Sequence, residues 1–223
     1  MEHRNEDILN LEALCAEQAI EIDSLMLEKL LRYRDYLEQW NHKINLISRK
    51  EDAPVIIKHI FHSLLITLHH SFREDEEVLD LGTGGGLPGI PIAILFPRTR
   101  FVLVDATGKK IVACKEMIKQ LGISNAVAIH TRVEELKGIN FDTVLSRQVA
   151  SLSKLCSWAG SLLKPGGVMI CLKGGDLGNE IEEALASGTG GKKFPQKIEV
   201  YPIDEVNPYF SEKQIVIAYG EDA

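Results

Sequence analysis

From Glu77 onward the chain alternates short, unbroken apolar runs with helix-length segments, and this alternation leaves few folds open. The runs are Val78-Leu79-Asp80-Leu81, Phe101-Val102-Leu103-Val104, Ala126-Val127-Ala128-Ile129, Thr143-Val144-Leu145 and Val168-Met169-Ile170-Cys171-Leu172, and the segments between them lie near 88–96, 107–121 and 151–163. A strand that is apolar at every position is covered on both faces, and parallel strands need crossover helices to join them. The pattern therefore predicts an α/β fold with a mostly parallel, helix-covered sheet. Ile198–Tyr201 and Gln214–Tyr219 read as two further strands, joined by a loop with Pro202 and Pro208, which makes a seven-stranded sheet ending in an antiparallel hairpin. The glycine-rich stretch 188–193 reads as a mobile loop.

Residues 8–70 follow a different period. Leu30, Tyr33, Leu37, Trp40, Ile44 and Ile47 are spaced 3, 4, 3, 4 and 3 apart, one face of a helix. A second helical stretch runs from about Pro54 to His70, with Pro54 suited to an opening turn. The chain thus divides into an N-terminal helical cap over 1–73 and a Rossmann-like domain over 74–223.

The first strand runs into Asp80-Leu81-Gly82-Thr83-Gly84-Gly85-Gly86-Leu87-Pro88-Gly89. In a doubly wound sheet this turn lies at the ligand crevice. Gly84, Gly86 and Gly89 satisfy the dinucleotide pattern G-x-G-x-x-G, whereas Asp80, Gly82 and Gly84 satisfy D-x-G-x-G, the nucleoside loop of methyltransferases. Register favours the second. Only it puts glycines directly after the strand's last apolar residue, and Pro88 at the helix start leaves Gly89 inside the helix.

Asp105 ends the second strand, 25 residues after Asp80, where a carboxylate can accept both ribose hydroxyls. Arg132-Val133-Glu134-Glu135 follows the third strand, at the place where an adenine would be met. The fourth strand ends in Ser146-Arg147-Gln148, with neither an NPPY motif for an exocyclic amine nor a Pro-Cys pair for attack on a pyrimidine ring. A target that is already nucleophilic, such as guanine N7, needs neither device. Arg147 and Lys173 are the substrate-side candidates, able to grip a phosphate or a base edge.

The net charge of −7 at first opposes a nucleic-acid partner, but it is unevenly placed. Residues 1–28 hold eight acids against Arg4, whereas residues 29–73 hold eight Lys/Arg against four acids. Lys43, Arg49, Lys50 and Lys58 of the cap are therefore the RNA-binding candidates, expected to join Arg147 and Lys173 in one basic surface. No run approaches the ~20 apolar residues of a membrane span, and the polar N-terminus does not read as a secretory signal, so a cytoplasmic monomer is expected. The four cysteines form no CxxC pair and read as buried free thiols. His59, His62, His69 and His70 lack an HExxH spacing, so no metal is expected.

Taken together, these motifs resemble the 16S ribosomal RNA guanine-N7 methyltransferase family known as RsmG or GidB, over roughly Leu30 to Lys173. The resemblance rests on Tyr36-Leu37-Glu38-Gln39-Trp40-Asn41 with Asn45-Leu46-Ile47-Ser48, on Lys58-His59-Ile60 before Ser63-Leu64, and above all on Gly82–Pro91 with its G-L-P-G-I-P ending. Asp105 with Gly108-Lys109-Lys110, Ser146-Arg147 and Leu172-Lys173-Gly174 complete it. It implies a class I methyltransferase that binds S-adenosylmethionine through Gly82, Thr83, Gly84, Leu87, Val133, Glu134 and Arg147, with Asp105 on the ribose, and 16S ribosomal RNA or the small ribosomal subunit as partner. The chain departs from the family pattern at His62, where the family usually has aspartate, and at Gln148-Val149, where alanine and an aromatic are usual. An NAD-dependent oxidoreductase and a non-catalytic RNA-binding protein with a remnant cofactor fold are the rival readings of the residues.

Overall fold

A computed structural model describes residues 2–48, 54–187 and 194–221. The 188–193 stretch, and with it the expected loop, lies outside the described residues, as do Arg49 and Lys50. Seven strands form one sheet: β1 (Glu77–Leu81), β2 (Arg100–Asp105), β3 (Ala126–His130), β4 (Phe141–Arg147), β5 (Leu163–Gly174), β6 (Lys197–Pro202) and β7 (Lys213–Tyr219), in the order β3-β2-β1-β4-β5-β7-β6. The first five run parallel, and β7 lies antiparallel between β5 and β6, as the closing hairpin expected.

The central apolar strands serve two cores at once, whereas edge strand β3, also read as apolar throughout, leaves Val127 and Ile129 exposed because no helix among the described residues covers that face. Along β1, Val78 packs into the core shared with the cap, while Leu79 and Leu81 pack into the opposite core. Helices α4 (Gly89–Leu95) and α5 (Gly108–Gln120) cover the first face, α6 (Leu152–Leu162) and α7 (Gly178–Ala186) the second. The first three lie within a few residues of the segments read from sequence, whereas α7 was not among them. The cap, α1 (Glu2–Glu17) and α2 (Ser24–Lys43), buries Leu11, Leu30, Tyr33 and Leu37 in the same core as Ile90 and Phe101. Cap and sheet are thus one packed body on that face.

Two helical expectations need correction. The apolar period through Ile47 overruns α2, which stops at Lys43; Ile44 is extended, and Asn41 Oδ1 then accepts the backbone N–H groups of Leu46 (2.9 Å) and Ile47 (3.1 Å). That side-chain bond gives the backbone an alternative to the helix ladder and turns it into a loop. The second cap stretch is not a uniform α-helix either. It opens as a π-helix over Ile56–Phe61, tightens through α3 (His62–Leu64) and ends as a 3₁₀ turn over Leu65–Leu68. Wide π turns are frequent at functional sites, and this one carries His59.

The parallel register aligns the strand ends. Leu81 pairs with Val104 and Ser146, Asp105 with His130, and Arg147 with Leu172. The chain leaves β1 toward β3 on one side and returns to β4 on the other, so β1 and β4 flank the topological switch point. Ligands of open α/β sheets bind there, beyond the carboxyl ends of the strands. At the far end, buried Glu76 ties the entry to β1, accepting from Thr143 Oγ1 (2.6 Å) and Arg73 N (2.8 Å).

Candidate functional site

The β1–α4 turn is folded by its own polar groups. The Gly82 and Thr83 N–H groups both donate to Val104 O at 2.9 Å, which fixes the turn to the end of β2. Behind it, fully buried Asp80 accepts from Thr83 Oγ1 (2.5 Å) and from Gly89 N (2.9 Å). A Cβ on Gly89 would stand 2.6 Å from Asp80 Oδ2, so this glycine is required by the carboxylate rather than by a pyrophosphate. Asp80 is therefore a strut beneath the loop, and the second pattern read from the sequence is the one the fold uses. From the cap side, Tyr33 OH donates to Gly85 O at 2.8 Å, and a Cβ on Gly85 would meet Leu37 at 2.7 Å.

Burial pushes the Asp80 carboxyl up to about 7, against the hydrogen bonds from Thr83 and Gly89 that hold it down. A carboxyl that ionises less readily folded than unfolded stabilises the fold while protonated. The contribution is complete below about pH 4 and is lost as pH rises through about 7. The urea midpoint of the wild type is expected to fall relative to that of Asp80→Asn across this window and to run parallel to it above. A constant difference from pH 4.5 to 8 would contradict the assignment.

Above the turn opens a cleft of about 970 Å³. All eight residues read from the sequence as cofactor-binding line it: Gly82, Thr83, Gly84, Leu87, Asp105, Val133, Glu134 and Arg147. Asp105 Oδ1 accepts Thr107 N (2.7 Å) and Oδ2 accepts Gly84 N (3.1 Å), with Lys110 Nζ at 3.9 Å. A carboxylate has about four lone-pair sites, so two remain for ribose hydroxyls. Gly84 is left-handed (φ +59), and a Cβ there would find no atom closer than 3.9 Å, which leaves open space on the cleft side of the turn. In the Val133–Glu135 turn, Glu135 is taken up by the fold, accepting Thr131 Oγ1 (3.1 Å) and Arg132 N (3.4 Å), whereas exposed Glu134 faces the cleft. These donors, acceptors and spaces suit S-adenosylmethionine.

Arg147 Nη2 donates to Nδ1 of His59, which leaves the imidazole proton on Nε2. Burial, and then the charge of Arg147, push His59 down to about 3, so it stays neutral at physiological pH. His62, at the departure from the family pattern, is buried against Phe210 with ring centres 5.0 Å apart, and burial and Arg147 likewise keep it uncharged.

Other sequence candidates fall elsewhere. Lys173 is outside the cleft, buried, with Nζ 2.7 Å from Glu180 and 3.1 Å from Ala150 O. Lys43 is exposed and sits over the Trp40 ring at 4.9 Å; Lys58 is half-buried on the π turn. Each neighbours a cleft-lining segment, 45–48 and His59 respectively, without lining the cleft itself. Sequence reasoning gave no site role to Asn45–Ser48, His59, Gln148, Val149, Lys154 or Trp158, all of which line it. The first two stood in the family signature, and that was the available signal. Lys154 and Trp158, one α6 turn apart and in cation–π contact at 4.7 Å, carried none.

The four cysteines are buried free thiols, as expected. Among the described residues no group of three or more His, Cys, Asp or Glu is placed to hold a metal ion, and no helix is long and apolar enough to cross a membrane.

With this geometry in place, comparison with known proteins gives a consistent result. The family model for "rRNA small subunit methyltransferase G" matches residues 26–203. A relative from Pelodictyon phaeoclathratiforme named ribosomal RNA small subunit methyltransferase G is 69% identical over 223 residues, covering 100% of this chain and 98% of the relative. One of the same name from Chlorobium luteolum is 63% identical over 218 residues, covering 98% and 92%. Among solved structures, M. jannaschii TYW2 in complex with AdoMet shares the fold at a TM-score of 0.58 and 19% identity, over 74% of this chain and 77% of that one. The match across the cap's second helix, the glycine turn and the whole parallel sheet leaves one conclusion: the chain belongs to the GidB family of rRNA small subunit methyltransferases G.

Proposed function

We propose that this chain transfers the methyl group of S-adenosylmethionine to N7 of a guanine in 16S ribosomal RNA. The observation that carries the reading is the convergence of the eight motif residues on one cleft at the switch point of the sheet. In it Asp105 holds the ribose, the Gly82–Gly84 turn lets the backbone approach closely, Val133 and Glu134 meet the adenine, and Arg147 stands on the substrate side. Bound S-adenosylmethionine supplies an electrophilic methyl group, and guanine N7 offers a lone pair without a proton, so no residue has to act as general base. This fits a cleft whose imidazole, His59, is neutral and already engaged with Arg147. The chain's part is to align two reactants, a contribution that reaches ~7–11 kcal/mol in well-oriented systems. Leu87, Val133, Val149 and Trp158 supply apolar walls that keep water from the reacting groups.

The test is labelled-methyl incorporation into unmodified 16S ribosomal RNA, offered free and within the small subunit. Incorporation into at least one is expected, and none into either would overturn the reading. An NAD-dependent oxidoreductase would instead bind the dinucleotide in calorimetry and leave S-adenosylmethionine unbound.

The cap's basic residues are read as phosphate-binding groups. Neutralising Arg49, Lys50 and Lys58 together should flatten the dependence of log affinity for RNA on log salt by about 0.7–0.9 for each phosphate no longer neutralised, with S-adenosylmethionine affinity unchanged. Superimposable salt titrations of wild type and variant would remove this surface from the RNA site.

A further inference from the structure

The segment Gln148–Ala150, which follows β4, borders two spaces. On one side Gln148 and Val149 line the cofactor cleft; on the other, both line a depression of about 340 Å³ completed by Ala150, Lys173, Gly174 and Lys213. Gln148 is left-handed (φ 50), a conformation that costs of order 1–3 kcal/mol for a residue with a side chain and collects at ligand sites. Among the described residues no carboxylate lines the depression.

Its two lysines are in different situations. The Lys173 ammonium is balanced by Glu180 and bonded to Ala150 O, so its work is to hold the segment in place. Lys213 has no carboxylate within ion-pair distance among the described residues. Its ammonium lies against Gly174, where a Cβ would come within 2.9 Å of Nζ, so the missing side chain is what makes room for it. Its backbone is fixed: Lys213 pairs with Gly174 in the sheet, Gly175 N donates to Glu212 O (2.9 Å), and Gln214 Nε2 donates to Gly175 O (2.7 Å). An unbalanced cation carried on a fixed stretch of backbone, in a pocket whose lining holds no acid, suits recognition of a phosphate.

We infer that this depression receives a backbone phosphate beside the target guanine, with Lys213 as the gripping cation and Gln148-Val149 as the sill between phosphate and base. The inference rests on the proposed RNA substrate and names a subsite for it. A nucleotide whose base crosses the sill into the cleft leaves its phosphate on the Lys213 side.

Lys213→Gln and Lys213→Arg, in the intact chain, test this by salt titration of binding to unmodified 16S ribosomal RNA and by methyl transfer at varied RNA. The glutamine variant should lose about 0.7–0.9 from the salt slope, so its affinity deficit shrinks about threefold between roughly 50 and 200 mM salt. Its KM for RNA should rise with kcat and S-adenosylmethionine affinity unchanged, and arginine should restore the slope. A wild-type slope and KM in the glutamine variant would overturn the inference. So would inorganic phosphate that raises the melting temperature of the wild type but not of the glutamine variant while salt slope and KM for RNA are the same in both, because the site would then serve a free anion. A changed slope in a protein that transfers no methyl group would leave the phosphate site standing and sink the proposed reaction, so the two failures are distinguishable.

Discussion

Gly82→Val is expected to weaken S-adenosylmethionine binding on the order of 100-fold while leaving the fold intact. Gly82 sits at φ +71, where a β-branched residue is a steric outlier, and its Cβ would lie 2.5 Å from Val149 Cγ2. The turn cannot relax freely, because the Gly82 and Thr83 N–H groups are both held by Val104 O. Strain of this kind costs of order 1–3 kcal/mol. Relieving it would move the backbone that borders the cleft, so affinity should fall on the order of 100-fold. The sheet and cap cores do not include this residue, so the thermal transition should remain cooperative. Titration calorimetry beside a melting curve checks both halves. Normal binding by the valine variant would show that the cofactor does not lie against this turn.

Asp105→Ala is the second large expectation. The carboxylate already accepts Gly84 N and Thr107 N, and removing it takes away the ribose acceptor and the support of the turn together. Hydrogen bonds to a charged group contribute about 1.5–3 kcal/mol, so S-adenosylmethionine should bind roughly 10–150-fold more weakly. Asp105→Asn separates the two roles. It keeps an acceptor oxygen but loses the charge, and its affinity should fall between those of wild type and alanine. Unchanged affinity in the alanine variant would remove Asp105 from the ribose.

The fold was legible because the inner parallel strands must be largely apolar on both faces, and β1, β2 and β4 carry that demand in consecutive residues. The closing hairpin was legible for the same reason in β7, where Ile215–Ala218 are buried. The end of α2 was not. Ile44 and Ile47 keep the helical period, and only the Asn41 side chain, folding back on Leu46 and Ile47, decides that the helix stops. Nor was the π turn, whose wider winding leaves no periodic mark over six residues.

The cofactor side of the site was readable because strand-end residues sit at fixed places in this topology. Asp105 and Arg147 are aligned by register alone. What sequence could not give was the company those residues keep. His59 meets Arg147 across 88 positions, and Lys173 on β5 is turned from a substrate candidate into a support by Glu180, seven residues on in α7. Lys213 drew no notice because the glycine that makes room for it lies on the neighbouring strand.

The central claim concerns a single atom, guanine N7. Methylation there leaves the base cationic and open to reduction, after which aniline cleaves the strand at that nucleotide. Unmodified 16S ribosomal RNA, free or in the small subunit, incubated with the protein and S-adenosylmethionine should be cleaved at a guanine only when both are present. The strand break should map to the position that carries the labelled methyl group. Methyl label that resists cleavage, or that maps to a pyrimidine, an exocyclic amine or a ribose, would contradict the account.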